Sequence, residues 1–94
     1  MTRLEELRKE IDEIDKQISI LFNERMNIVK KINIYKKNNN IDVLDTKREE
    51  YLLQENLKHV DKEYQDLYLE LEKKILSLSK EYQNKWNTKN INHN

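Results

Sequence analysis

Cysteine, glycine, proline and alanine are all missing from the 94 residues of this chain. Without cysteine there is no disulfide, no thiolate chemistry and no structural zinc site of the usual kind, and His59 and His93 are too far apart in sequence to make a good cluster, so no metal is expected. Without glycine and proline the ends of helices must be marked by other residues. An excess of one charge is missing too. Eighteen basic residues balance eighteen acidic ones, which leaves no overall field for nucleic acid or an anionic membrane and makes any anion site local. There is no long apolar run, and the first ten residues are charged and amphipathic, so neither a secretion signal nor a membrane span is expected and the location expected is the cytoplasm. With 36% hydrophobic and 38% charged residues, a single domain of this length buries little apolar surface by itself, and oligomerisation is the expected remedy.

What is present is helical patterning. Leu4, Leu7, Ile11, Ile14, Ile18, Leu21, Arg25, Ile28, Ile32 and Tyr35 alternate at spacings of three and four, the mark of one helix face. One of these ten positions is an arginine, and a guanidinium on an apolar stripe costs several kcal/mol unless an anion meets it. Arg25 therefore points to a site built around a negatively charged partner. The pattern stops at Lys37-Asn38-Asn39-Asn40, where asparagine tolerates the left-handed backbone that ends a helix. A second break falls at His59-Val60-Asp61, where Asp61 can cap a new helix. The spacing predicts an all-α subunit of one long, one short and one medium helix, over roughly 3–37, 46–58 and 61–85. Residues 1–85 form the expected helical domain, and 86–94 a polar, disordered tail. In the second helix Glu49, Leu52, Leu53, Asn56 and Leu57 share a face; in the third Tyr64, Leu67, Tyr68, Leu71, Ile75, Leu78 and Tyr82 do.

Helix length bears on assembly. At ~1.5 Å per residue the first helix runs about 50 Å, whereas a compact domain of this size is only ~30 Å across. Two long helices packed together, each also touched by the short helices of both chains, would cover it, so a homodimer with a shared core is expected. Arg25 and Lys36 lie about three turns apart, on one face and ~16 Å from each other, within reach of one small ligand. Arg8 lies about 25 Å from Arg25 along the axis and is turned roughly 100° away. It is either a solvated helix charge or, if it serves that ligand, a residue supplied by the partner subunit. Asp45 reads most simply as an N-cap, with Arg48 in the first turn beyond it. Glu49 is in phase with Leu52, Leu53 and Leu57 and so faces inward, while Ser79 and Gln83 sit one turn apart on the edge of the third helix's apolar stripe. Taken singly each of these has a plain structural explanation; together they make a pocket-like pattern.

The order of these residues resembles a known family. Leu4-Glu5-Glu6-Leu7-Arg8-Lys9-Glu10-Ile11-Asp12-Glu13-Ile14-Asp15, Glu24-Arg25, Tyr35-Lys36, Val43-Leu44-Asp45-Thr46-Lys47-Arg48-Glu49-Glu50 and Ser79-Lys80-Glu81-Tyr82-Gln83 are similar, in register, to the all-helical chorismate mutases of the AroQ class. The resemblance implies an intertwined three-helix homodimer with two equivalent sites. Its implied reaction is the rearrangement of chorismate to prephenate on the route to phenylalanine and tyrosine, with no cofactor. It also implies roles. Arg25 and Arg8 of the partner subunit would hold the two substrate carboxylates, Lys36 and Gln83 would approach the ether oxygen, Glu49 would accept from the ring hydroxyl with Asp45 close by, and Arg48 and Ser79 would support the substrate. Asn33 and several neighbours are larger or more polar than the small residues common in the family, a departure that removes no expected functional group. Alternatives are an isochorismate pyruvate lyase on the same fold, a non-catalytic coiled-coil interaction module, and a regulatory subunit. Asp45-x-x-Arg48-Glu49 with Ser79 fits the mutase pattern better than the lyase. The chain is expected to stand alone covalently, which leaves open a non-covalent partner enzyme of the aromatic pathway.

Overall fold

The computed structural model describes residues 1–42 and 44–91. Val43 of the expected Val43-to-Glu50 motif, and residues 92–94 with His93, lie outside the described residues. Helix α1 spans Arg3–Asn38, α2 Thr46–Leu57 and α3 Gln65–Ile91, with a 3-10 turn at Lys62–Tyr64 ahead of α3 and no strand among the described residues. The all-α expectation of a long, a short and a medium helix holds. The chain divides into two compact units at a boundary within α1, one of Met1–Ile32 and the other from Asn33 onward.

Local chemistry explains the helix ends. Thr2 caps α1, its hydroxyl accepting from the Glu5 amide at 3.1 Å, and Glu5 and Glu6 in the first turn face the positive end of the helix dipole. At the other end Asn40 takes the left-handed backbone conformation, φ 54°. The Ile41 amide donates to the Lys36 carbonyl at 2.9 Å and the Asn40 amide to Lys37 at 3.5 Å, the pair of bonds that closes a Schellman motif. Asparagine stands there for the glycine this sequence lacks, as the sequence led us to expect. Asp45 caps α2 by accepting from the Arg48 amide at 3.0 Å.

The second break differs from its expectation. The side chain of Asp61 makes no cap hydrogen bond; its carbonyl accepts from the Tyr64 amide at 2.9 Å and the chain enters a 3-10 turn. Closure is done instead by Gln65, whose Nε2 donates to the Leu57 and Val60 carbonyls, each at 3.1 Å. A side-chain amide with two donor hydrogens satisfies two orphan acceptors at the end of α2, which a carboxylate cannot do.

From this turn α3 runs back antiparallel to α2. The contacts pair Asn56 with Glu72 near the turn and Glu49 with Lys80 farther out, so sequence number rises along one helix as it falls along the other. The α2 face of Glu49, Leu52, Leu53, Asn56 and Leu57 is half-buried as expected. The α3 face is rotated from its expectation. Tyr64, Leu67 and Leu71 are exposed, and the buried residues are Glu72, Ser79 and Gln83, which fall within about 40° of one another around the helix axis. Glu72 turns inward because its carboxylate is matched: Asn56 Nδ2 donates to Oε1 and the Tyr68 hydroxyl to Oε2, both at 2.9 Å. Helix α3 also continues past the expected end near residue 85 to Ile91. Residues 86–91 of the expected tail are thus part of the helix. No helix breaker interrupts them, and the Trp86 ring receives the Lys37 ammonium at 5.4 Å, a cation–π contact that ties α3 to the end of α1.

In α1 the apolar stripe is exposed. Its nine apolar members are between 41% and 63% exposed, whereas Arg25, the charged residue among them, is half-buried. Val29 is the one hydrophobic residue classed as buried among the described residues.

The Asn56–Glu72 contact gives a direct check on the α2/α3 hairpin. Replacing Asn56→Ala removes a donor from a buried carboxylate and is expected to cost about 1–3 kcal/mol, read as a lower urea midpoint at fixed protomer concentration. A midpoint equal to that of the parent chain would contradict the pairing.

Candidate active site

Interiors of small helical domains are ordinarily apolar, and this one is not. Among the described residues, those buried besides Val29 are Asn33, Glu72, Ser79 and Gln83. A buried polar group costs free energy unless something hydrogen-bonds it, so each needs a partner or a purpose. Glu72 has its partners in Asn56 and Tyr68. The Ser79 hydroxyl donates to the Ile75 carbonyl one turn back, at 2.9 Å. That donor is thus engaged by its own helix. Gln83 lies one turn farther along the same buried face, at its centre rather than on its edge.

Two clefts open within the unit that begins at Asn33. The first, of about 420 Å³, is lined by Asn33, Lys36, Lys37, Asn40, Asp42 and Asn87 among others. Two ammonium groups and one carboxylate give it a net positive wall, and its three amides supply further donors. Such a set suits an oxygen-rich anion. Lys36 is half-buried there, which strengthens its field relative to a solvated lysine. Asn87 was expected in the disordered tail; the continuation of α3 brings it into this wall.

The second cleft, of about 520 Å³, lies between α2 and α3 and includes Glu49, Leu53, Lys73, Lys80 and Glu81. Its charges balance. Glu49 Oε1 is held by Lys80 Nζ at 2.8 Å, and the Glu49 side chain keeps only 24% of its surface exposed. The inward orientation read from sequence holds, and the ion pair fixes one oxygen of the carboxylate. Lys80 had no sequence signal, because its pairing with Glu49 depends on the antiparallel register of two helices thirty-one residues apart in the chain.

The expected site residues fall into groups. Lys36 lines the first cleft, Glu49 the second, and Ser79 and Gln83 lie on the buried face of α3. Asp45 and Arg48 are exposed at the start of α2, where Asp45 is engaged as the cap and the Arg48 guanidinium lies over the Tyr51 ring at 5.3 Å. Arg8 and Arg25 belong to the other unit, Arg8 exposed and Arg25 half-buried. Among the described residues there is no group of three or more histidines and carboxylates able to hold a metal ion, and no helix long and apolar enough to cross a membrane.

Comparison with known proteins identifies the family. The bifunctional chorismate mutase/prephenate dehydratase of Aquifex aeolicus (strain VF5) is 36% identical to this chain over an alignment that covers 80% of the chain and 25% of that protein. The chain therefore spans about a quarter of the length of the curated relative it matches. The sequence profile of the family described as chorismate mutase type II matches residues 7–84, a stretch that contains all eight expected site residues from Arg8 to Gln83. With more than half of its length covered by that profile, the chain belongs to the chorismate mutase type II family.

Proposed function

We propose that this chain is an isomerase that converts chorismate to prephenate, and that it works as a homodimer in which each site takes Arg8 from the partner subunit. The observation that carries the reading is the uncovered apolar stripe of α1 together with the polar character of the buried residues. Most of the buried residues are polar and Lys36 lines a cationic cleft, while the apolar stripe of α1 is exposed. A second long helix laid against that stripe would remove nine half-exposed apolar side chains from water. It would also enclose Arg25, the cation in their midst, beside a bound anion.

The reaction explains why these residue types are wanted. Chorismate rearranges within one molecule: its ether carbon–oxygen bond breaks as a new carbon–carbon bond forms, without nucleophile, proton carrier or cofactor. The enzyme has to fold a flexible dianion and stabilise unevenly developing charge. Arg25 and Arg8 of the partner subunit would grip the two carboxylates with planar, two-pronged donors, converting conformational freedom into a reactive geometry. Lys36 and Gln83 would stabilise negative charge growing on the ether oxygen more than they stabilise the ground state. Glu49 would accept from the ring hydroxyl through the oxygen not held by Lys80, with Asp45, Arg48 and Ser79 supporting the substrate. The helical domain of residues 1–85 would carry all of these groups. The cytoplasmic location and a non-covalent partner enzyme of the aromatic pathway belong to the same proposal.

Purified protein supplied with chorismate is expected to yield prephenate; pyruvate released from isochorismate, with no prephenate from chorismate, would favour the lyase instead. Lys36→Ala is expected to lower kcat by ~100-fold or more with circular dichroism and molecular mass unchanged, and near-normal turnover would overturn the assignment. By sedimentation equilibrium the chain should have twice its 11.6 kDa mass at micromolar concentration, and a monomer there would contradict the homodimer.

A further inference from the structure

Asn33 is the most deeply buried polar residue described in this chain, with 2% of its surface exposed, and neither its Oδ1 nor its Nδ2 has a hydrogen-bond partner. An unpaired buried amide of this kind costs about 1–3 kcal/mol. An apolar side chain of the same size would avoid that cost, so the amide is out of place as packing. Its position is informative. Asn33 lies one helical turn before Lys36 on α1, and both line the cationic cleft with Asn87. The other buried polar residues differ from it. Glu72 and Ser79 have their hydrogen bonds inside the α2/α3 hairpin, and nothing comparable accounts for Asn33.

We propose that Asn33 is a further substrate-binding residue, whose Nδ2 donates to an oxygen acceptor of the bound dianion beside the Lys36 ammonium. The inference rests on the chorismate reading above and adds a contact to it. Three features of the cleft favour an oxygen ligand. Its wall holds two ammonium groups and three amides against a single carboxylate, so donors outnumber anionic acceptors. Asn33 is fixed on a helix rather than a loop, so its donor is oriented before the ligand arrives. And its burial places the donor where a hydrogen bond is not diluted by water, so the unpaired state gives way to a paired one only when the ligand is bound. The size and polarity by which Asn33 departs from the small residues common in the family thus become a recognition feature of this chain. Because the contact is made alike by substrate and transition state, it acts on affinity more than on the chemical step.

Two variants test this, Asn33→Leu, which keeps the number and branching of the side-chain heavy atoms and removes the polar ones, and Asn33→Ala, which removes the amide without filling the cleft. Both are expected to raise the KM for chorismate about tenfold, with kcat changed less than threefold. The melting temperature of N33L, at fixed protomer concentration, is expected to stay close to that of the parent, the removal of an unpaired amide offsetting the larger volume of leucine. If both variants keep KM within twofold of the parent while the parent turns over chorismate, the contact does not exist. A fall in the melting temperature of N33L with KM unchanged would assign the amide to pairing inside the protein, and would equally overturn the proposal. Failure of the parent itself to turn over chorismate would defeat the reading beneath it, a result distinct from either of these.

Discussion

A cation set into an apolar helix face that the chain itself leaves uncovered is the constraint on which the rest of this structure depends. Nine apolar side chains of α1 stand about half exposed, and Arg25 sits among them half-buried. A helix of 36 residues with such a face is not stable in water by propensity alone; its stability comes from what packs on that face. In the proposed dimer the same packing that stabilises α1 also seals the arginine beside its anion. Folding and ligand recognition are then served by one surface, and the absence of a large apolar interior within a single chain follows from it.

Electrostatics within the second unit are arranged by the same logic. Glu49 and Lys80 neutralise each other across α2 and α3, so that carboxylate adds little to the surrounding field, while Glu72 is held by the neutral donors Asn56 and Tyr68. Lys36, Lys37 and Asp42 line the other cleft, whose formal charge is net positive. With an overall charge of zero, the protein concentrates its positive potential locally rather than over its surface. In the proposed reaction this is what matters. The substrate has no covalent partner in the site, and catalysis would come from positions and fields alone.

Much of this was legible in the residues. The three-four spacing located α1 to within a residue of its end, Asn40 marked its stop by tolerating positive φ, Asp45 marked the start of α2, and the phase of Glu49 with three leucines placed it inward. These are local signals, set by periodicity and by capping chemistry. What failed depended on packing between elements. The inner face of α3 was assigned to its leucines and tyrosines, yet it is centred on Glu72, Ser79 and Gln83, because Asn56 and Tyr68 make the buried carboxylate tolerable. The end of α3 was read six residues early, since the Trp86 contact with Lys37 joins segments far apart in sequence. The pairing of Lys80 and the place of Asn87 have no local signal for the same reason: each follows only from the antiparallel register or from the continued helix.

The central claim is that each site is completed by a second copy of the chain, and mixing two inactive variants tests it most directly. Arg8→Ala and Lys36→Ala are each expected to be nearly inactive, but a heterodimer of the two places both lesions in one site and leaves the other intact. Random reassociation makes half the dimers mixed, so the account predicts recovery of about a quarter of the parent activity after the two are unfolded and refolded together. Activity no greater than that of the separate variants would show that Arg8 and Lys36 act within one chain, or that they do not share a site.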